Sequence, residues 1–274
     1  MVVPYQEYHR QSLEAKDIDP SILCLRYISD RFELNTEQRY WIAFLYGTCY
    51  CSATTFYMYN EFPDYELVDV QRLNDWWSKN KSNLIFQTDR LRIKSNNQFV
   101  DSFVSYRRLC KGSQENYLKS RGWKDLYDKI LKIKYFGRFS LFNYLDVLNQ
   151  LTNINFAPPY LNMMEAKSCR DGLALALEKP ELIKDKMTSK EALYLHRKFI
   201  ETLRSNEGNV FQIETTLCAY KKYRYGKRYV GYYIDRMGRE IDDIQTRVNN
   251  GVYWDLLWQF RDETFDKKYL NERT

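Results

Sequence analysis

The stretch that decides the fold is WIAFLYGTCYCSATTFYMY, residues 41–59, which places apolar side chains on nearly every side of a helix. A helix that is apolar all round lies in the interior and is covered by its neighbours. The stretch therefore predicts a central buried helix, with Gly47 as the point where it would break. It is not a membrane span, which needs about 20 predominantly apolar residues, because small and hydroxyl residues interrupt it: Gly47, Thr48, Ser52, Thr54 and Thr55.

Helical patterns continue on both sides of this stretch. Asp19-Pro20 favours a helix start, and Thr188 with Glu191 forms a capping-box pattern. Only 10 glycines and 6 prolines occur among 274 residues, fewer than the turn-rich sequences of β-sandwiches and barrels contain. The sequence predicts a mainly α fold, with helices over residues 20–32, 36 onward, 68–78, 98–110, 113–119, 123–133, 191–204, 210–223, 242–249 and 252–260, and a loop over 80–97.

The domain organisation is simple, since no repeat and no low-complexity linker occurs. We expect one helical domain over residues 1–274, which could be divided into two lobes of about 1–120 and 121–274.

The residues MVVPYQEYHR do not show the pattern of a secretory signal, so we expect none, and six cysteines are scattered without a paired CxxC motif. With only His9 and His196, neither a zinc site nor a His-based triad can be assembled. We therefore expect a cytoplasmic protein with no cofactor, no metal and no membrane partner.

The positive charge is concentrated in two segments. Residues 102–138 contain ten basic and three acidic residues, and residues 219–239 contain seven basic and one acidic residue, although the whole chain carries only +6. Tyrosine, tryptophan and phenylalanine alternate with these charges. Cations displace counterions from phosphates, and aromatic rings stack on unpaired bases, so the pattern predicts a DNA partner. The alternative is a pair of solvated helix faces.

The first basic segment contains KILKIKYFGRFSLFNYLDVL, residues 129–148, which predicts a helix, a turn at Phe136-Gly137 and a second helix opened by Ser140. Backbone N–H groups at such a turn can bind a DNA phosphate. The form resembles the helix-hairpin-helix of DNA glycosylases, although it has one glycine where that motif has Gly-x-Gly. An ordinary αα-hairpin is the alternative. The candidate DNA-binding residues here are Lys132, Lys134, Gly137 and Arg138.

Candidate chemistry lies in two later segments. CRDGL, residues 169–173, places Arg170 and Asp171 at the start of an apolar helix. In a helix, Glu214, Cys218 and Lys221 or Lys222 would share one face. The Tyr-rich remainder of that block adds guanidinium groups and phenols that could hold a pyrophosphate and a base: Arg228, Tyr229, Tyr232, Tyr233 and Arg236. A Tyr-rich packing surface with salt bridges is the alternative.

These segments together carry a family resemblance. Residues 41–63, the YFGRFSLFNYL hairpin, CRDGL and ETTLCAYKKYRYGKRYVGYYIDR (residues 214–236) resemble the phage alpha-glutamyl/putrescinyl thymine pyrophosphorylases, also called amino acid:DNA transferases. They are also similar to the helical domain of 5-hydroxymethyluracil DNA kinases. The kinases of that pathway carry a P-loop, and this chain has no GxxxxGK[ST], so phosphorylation is not its own reaction.

The resemblance implies a DNA-glycosylase-like helical enzyme that works in the host cytoplasm on hypermodified thymine. An amino acid or polyamine would replace the pyrophosphate on 5-hydroxymethyluracil in phage DNA. The expected roles are cations for pyrophosphate (Lys221, Lys222, Arg228, Arg236), a base for the amine (Asp171 or Glu214) and rings for a flipped base (Tyr229, Tyr232, Tyr233), with Arg170 near DNA. Cys169 or Cys218 could instead add to the pyrimidine ring.

Two other classes of function fit the same residues. A non-catalytic subunit could present DNA to a separate 5-hydroxymethyluracil kinase, which would use the basic segments without a catalytic carboxylate. A glycosylase-like enzyme would release a free base. Only a transferase would form a new C–N bond on DNA.

Overall fold

The computed structural model describes residues 2–88, 91–248 and 253–270, which form helices and loops without a strand. The predicted mainly α class is confirmed. The α-helices are α1 (Tyr5–Glu14), α2 (Pro20–Arg31), α3 (Thr36–Cys49), α4 (Ser52–Glu61), α5 (Val70–Asn80), α6 (Gln98–Cys110), α7 (Gln114–Leu118), α8 (Trp123–Ile130), α9 (Arg138–Leu151), α10 (Lys167–Ala176), α11 (Ser189–Ser205), α12 (Val210–Arg224), α13 (Tyr232–Arg247) and α14 (Trp254–Thr264).

The chain divides into two compact units, each built from separate segments. The terminal unit comprises Met1–Pro20, Ala157–Asp235 and Phe265–Thr274, as far as these are described. The central unit comprises Ser21–Phe156 and Arg236–Thr264. The terminal unit thus contains α1 and α10 to α12, whereas the central unit contains α3 to α9 and α14.

Helix α3 is the buried helix of the central unit. Its residues from Tyr40 to Cys49 are all buried, and Phe44 stacks on Tyr106 of α6 with 4.3 Å between ring centroids. The stretch over residues 41–59 is interrupted at Tyr50 and Cys51, between α3 and α4, so the predicted break at Gly47 is wrong. A Cβ at Gly47 would meet the Cβ of Tyr144 on α9 at 3.0 Å, so this glycine allows α3 and α9 to approach closely.

Several helix ends differ from the predicted ones. Helix α3 begins at the predicted residue 36, and Asn35 caps it, because its side chain accepts the N–H of Gln38. The hairpin differs too: α8 ends at Ile130, and α9 begins directly after Gly137 rather than at Ser140. Helix α13 begins ten residues before the predicted residue 242. The predicted α11 capping box is confirmed.

In the terminal unit, α1 and α10 both pack on α12. The buried hydroxyl of Thr216 on α12 lies 2.9 Å from the Tyr5 hydroxyl and 2.9 Å from Nδ1 of His9, which fixes α1 in place. On α10, a Cβ at Gly172 would lie 1.9 Å from the carbonyl oxygen of Leu217. The backbones of α10 and α12 can come this close only because residue 172 has no side chain.

Candidate functional site

The α10–α12 crossing places Asp171 beside Lys221. The Asp171 side chain is fully buried, and the Lys221 Nζ donates to its Oδ2 at 2.7 Å. The sequence placed these residues in one site, but their contact joins positions 50 apart in the chain. A carboxylate buried in this way needs a cation partner, and Lys221 is that partner.

Arg170, the neighbour of Asp171, is turned into the protein. Its side chain is buried, and its two terminal nitrogens donate to backbone carbonyls of Met163, Met164, Lys184 and Asp185. Its Nε lies 3.7 Å from Asp171 Oδ1. The guanidinium thus ties the segments before and after α10 to each other.

Glu214 and Cys218 lie on one face of α12, as the helical spacing predicted. The Cys218 thiol donates to Glu214 Oε1 at 3.2 Å. Burial raises the pKa of the Cys218 thiol well above its ordinary value, and the charge of Glu214 raises it further. Lys221 turns to Asp171, whereas Lys222 is exposed.

Arg228 lies against two tyrosine rings. Its guanidinium carbon is 4.8 Å from the ring centroid of Tyr232 and 4.5 Å from that of Tyr233, and it donates to the Tyr233 hydroxyl. In the described parts of the chain Arg228 forms no ion pair with a carboxylate. The guanidinium is half-buried, and its charge lowers the pKa of Asp17.

Tyr229 completes the aromatic group. Its hydroxyl donates to Asp235 Oδ2 at 2.6 Å, its ring meets that of Tyr232 edge to face, and its side chain is 43% exposed. The predicted set of Arg228 with Tyr229, Tyr232 and Tyr233 is thus brought together in the terminal unit. Their exposed and half-buried surfaces could contact a planar ring or a phosphate.

Asp17 is a site neighbour that the sequence reasoning missed. It lies between α1 and α2, is 2% exposed, and accepts the backbone N–H groups of Gly231, Tyr233 and Ile234. Its partners are more than 200 positions away, so no local pattern could have paired them. The available signal was Gly231, a residue before a helix with no side chain to cap it.

The remaining candidates lie in the central unit. Arg236 donates from Nε to Glu240 Oε1 at 2.8 Å and from Nη2 to the carbonyl of Gln87, and burial raises the pKa of Glu240. At the hairpin, Lys132 and Arg138 are exposed, while Lys134 pairs with Asp101 at 2.6 Å. Gly137 precedes α9, and no side chain caps that helix start.

Neither a metal-binding group nor a membrane segment occurs among the described residues. No group of three His, Cys, Asp or Glu side chains is placed to hold a metal ion. No helix is both long enough and apolar enough to cross a membrane.

Comparisons with known proteins define the class. The family model for amino acid:DNA transferases matches residues 14–229. The chain belongs to this family, which confirms the predicted resemblance. The chain is also 32% identical over 126 residues to a serinyltransferase of Salmonella phage ViI. That match covers 42% of this chain and 30% of the phage protein, so it spans under a third of the relative's length.

Proposed function

We propose that this protein transfers the amine of an amino acid or polyamine onto pyrophosphorylated 5-hydroxymethyluracil in phage DNA, in the cytoplasm of the host. The observation that carries the proposal is the match of most of the chain to the amino acid:DNA transferases. In this reaction the amine attacks the methylene carbon, a C–N bond forms and the C–O bond to pyrophosphate breaks. A base takes the proton that the amine loses.

Arg228 and Lys222 are the cations that we assign to the departing pyrophosphate. Within the described residues Arg228 forms no ion pair with a carboxylate, although its charge lowers the pKa of Asp17, and its planar group offers several N–H donors to phosphate oxygens. Lys222 is exposed. Lys221 and Arg236 were candidates for the same role, but each has a carboxylate partner that offsets its charge.

Glu214 is the carboxylate that we assign as the base. It is half-buried and so can be reached from solvent, whereas Asp171 is fully enclosed and paired with Lys221. Asp171 then has the role of orienting Lys221 at the α10–α12 crossing.

Direct displacement is favoured over addition of a cysteine, because the raised pKa values of Cys169 and Cys218 keep both thiols protonated near neutral pH.

We expect Glu214→Gln to lower kcat by on the order of 100-fold, the usual contribution of a general base. Its activity should recover partly as the pH is raised, because more of the amine is then already neutral. Asp171→Asn should lower both kcat and the melting temperature, since it leaves the Lys221 charge without its buried partner. Higher pH should not restore kcat in this variant. Recovery at high pH in Asp171→Asn, together with an active Glu214→Gln, would transfer the role of base to Asp171.

The tyrosines would hold the target base outside the duplex. An enzyme must take a base out of the stack to reach its methylene group, and aromatic faces then replace the lost stacking. Tyr229, Tyr232 and Tyr233 offer such faces beside Arg228. This arrangement would place the leaving group next to the guanidinium that stabilises it.

In a DNA-glycosylase-like architecture, the hairpin between α8 and α9 would bind the DNA backbone. No side chain of the N-cap residue caps the start of α9, and a helix N-terminus favours an anion. Gly137 leaves space at this start, because nothing lies within 4 Å of a Cβ built there. Lys132, Lys134 and Arg138 would add charge around the same point.

The triple variant Lys132→Glu, Lys134→Glu, Arg138→Glu is therefore expected to lose binding to duplex DNA at moderate salt, because it replaces three attractive charges with repulsive ones. Fluorescence anisotropy with a labelled duplex over a salt series measures this. Thermal unfolding should change little, because all three side chains are exposed. The same reversal at Lys16, Lys79 and Lys190 provides a control of equal charge change. Unchanged affinity for DNA in the hairpin variant would show that the hairpin is not part of the DNA interface.

The decisive experiment incubates the protein with pyrophosphorylated 5-hydroxymethyluracil DNA and a mixture of amines, followed by nucleoside mass spectrometry. A new C–N adduct supports the transferase. Release of a free base would identify a glycosylase-like enzyme, and DNA binding without any product would identify a subunit that presents DNA to a kinase.

A further inference from the structure

We propose that Asp17 is a positioning residue for the candidate site, because it fixes the chain segment that carries Arg228, Tyr229, Tyr232 and Tyr233. The proposal rests on the proposed function, since this segment matters for rate only if its side chains act on substrate. Asp17 itself has no contact with substrate in this scheme. It acts through the backbone of the turn before α13.

The geometry is that of a helix cap supplied from a distant part of the chain. Asp17 Oδ2 accepts the N–H of Gly231 at 2.7 Å, and Oδ1 accepts those of Tyr233 at 2.8 Å and Ile234 at 3.0 Å. Three orphan donors at the start of α13 are thereby satisfied. The segment from residue 228 to 233 is thus held at its carboxyl end by one carboxylate.

The turn needs this external cap because of its own sequence. Gly231 precedes α13 and has no side chain, and its φ of 102° lies in a region that other residues rarely adopt. A Ser or Asp there could cap the helix locally, but only at the cost of backbone strain. A carboxylate from another segment solves both problems, and its charge is favoured at a helix N-terminus.

The cap requires the ionised form of Asp17. An amide in its place has a single acceptor oxygen, so the bond to one N–H group is lost, and a proton on the carboxyl turns one charged acceptor into a weaker hydroxyl acceptor. Burial raises the pKa of Asp17 to about 7, and the three backbone N–H groups and Arg228 oppose that rise. Tyr8 of α1 is also titratable and faces Asp17, and its own pKa is raised by burial and by Asp17.

Activity and stability should therefore respond to acid in opposite ways. Between the ordinary carboxyl pKa and the raised one, the folded state binds more protons than the unfolded state, so the contribution of Asp17 to stability rises as the pH falls. The hydrogen bonds that hold the turn are weakened over the same range. We therefore expect the rate to fall below about pH 7, whereas the contribution of Asp17 to stability should not fall.

The test compares wild type with Asp17→Asn and with Glu37→Gln as a matched control. Glu37 also caps a helix from a distance, since it accepts the N–H groups of Gln114 and Glu115 at the start of α7, but it lies outside the candidate site. Adduct formation gives kcat and KM from pH 5.5 to 8.5. Hydrogen exchange of the peptide over residues 226–236, read by mass spectrometry, reports the turn itself without any need for activity.

We expect Asp17→Asn to exchange faster in that peptide and to lose kcat by up to about 100-fold, the cost of misplacing catalytic groups by about 1 Å. The part of the wild-type acid limb that centres near pH 7 should be lost, and the part due to deprotonation of the amine should remain. Glu37→Gln should keep the acid limb and the wild-type exchange over residues 226–236. Equal losses in the two variants, or an unchanged acid limb in Asp17→Asn, would overturn the proposal. If the wild type forms no adduct, the proposed function fails, but the pH dependence of exchange still decides whether Asp17 holds the turn.

Discussion

Arg228→Ala is expected to lower kcat for adduct formation by on the order of 100-fold or more, the loss typical of one well-placed electrostatic donor. In the proposed reaction negative charge grows on the departing pyrophosphate in the transition state, so the loss should fall mainly on kcat and less on KM. Arg228 is the cation to test because it combines contact with two tyrosine rings and the absence of an ion pair within the described residues.

Two further variants make this result specific. Arg228→Lys keeps the charge but loses the planar group, and we expect it to have intermediate activity. Arg224 offers a matched control in the same unit, because its guanidinium also lies over a tyrosine ring, that of Tyr220 at 5.9 Å. Arg224→Ala should keep kcat within a few-fold of wild type. Equal losses at both arginines would show that Arg228 contributes to packing and not to catalysis.

The pH dependence separates this role from that of the base. Raising the pH should not restore Arg228→Ala beyond the gain that the wild type shows, because deprotonating the amine does not replace a missing cation. Glu214→Gln should recover under the same conditions. A variant series measured at two pH values therefore distinguishes the leaving-group residue from the base.

Local signals in the sequence predicted much of the fold. Helix α6 was predicted with its observed ends, Gln98 and Cys110, because its apolar spacing begins and stops sharply. The capping box of α11 was predicted because Thr188 and Glu191 are three residues apart and interact only with their own helix start. Both features depend on interactions within one turn of helix, which a sequence displays directly.

Features that depend on distant contacts were missed. Gly47 was expected to break α3, but the packing of α3 on Tyr144 overrides the low helix propensity of glycine. The start of α13 was missed because its cap comes from Asp17, which is 214 positions away from Gly231. Neither fact can be read from spacing, since each depends on which helices meet.

In the candidate site, too, contacts within one helix were predicted and contacts between distant segments were missed. The face shared by Glu214 and Cys218 follows from a spacing of four on one helix and was predicted. The partners of Lys221 and Arg170 were not, because they lie on other segments: Asp171 for the lysine, and backbone carbonyls for the arginine. The sequence could identify which side chains were suited to bind pyrophosphate or accept a proton. It could not show which of these charged side chains would be paired with a buried opposite charge in the folded protein.

Gly172→Ala should produce the largest loss of stability. The new Cβ would lie 1.9 Å from the Leu217 carbonyl oxygen, where ordinary contact begins at 3.4 Å, so α10 and α12 must separate by roughly 1.5 Å. The obstacle is backbone, which cannot rotate away as a side chain could. Overpacking of this kind costs about 3 kcal/mol or more, which corresponds to a fall of roughly 6 to 12 °C in melting temperature.

Thermal unfolding followed by circular dichroism measures the effect, with Gly122→Ala as the control. Nothing lies within 4 Å of a Cβ built at Gly122, so that variant should change the free energy of unfolding by less than about 1 kcal/mol. A melting temperature of Gly172→Ala within 1 °C of the control would show that the two helices are not held at this distance. Because α12 also carries Glu214, the proposed base, we expect Gly172→Ala to lose transferase activity even below its melting temperature. Leu217→Ala leaves the backbone carbonyl in place, so adding it to Gly172→Ala should not relieve either defect.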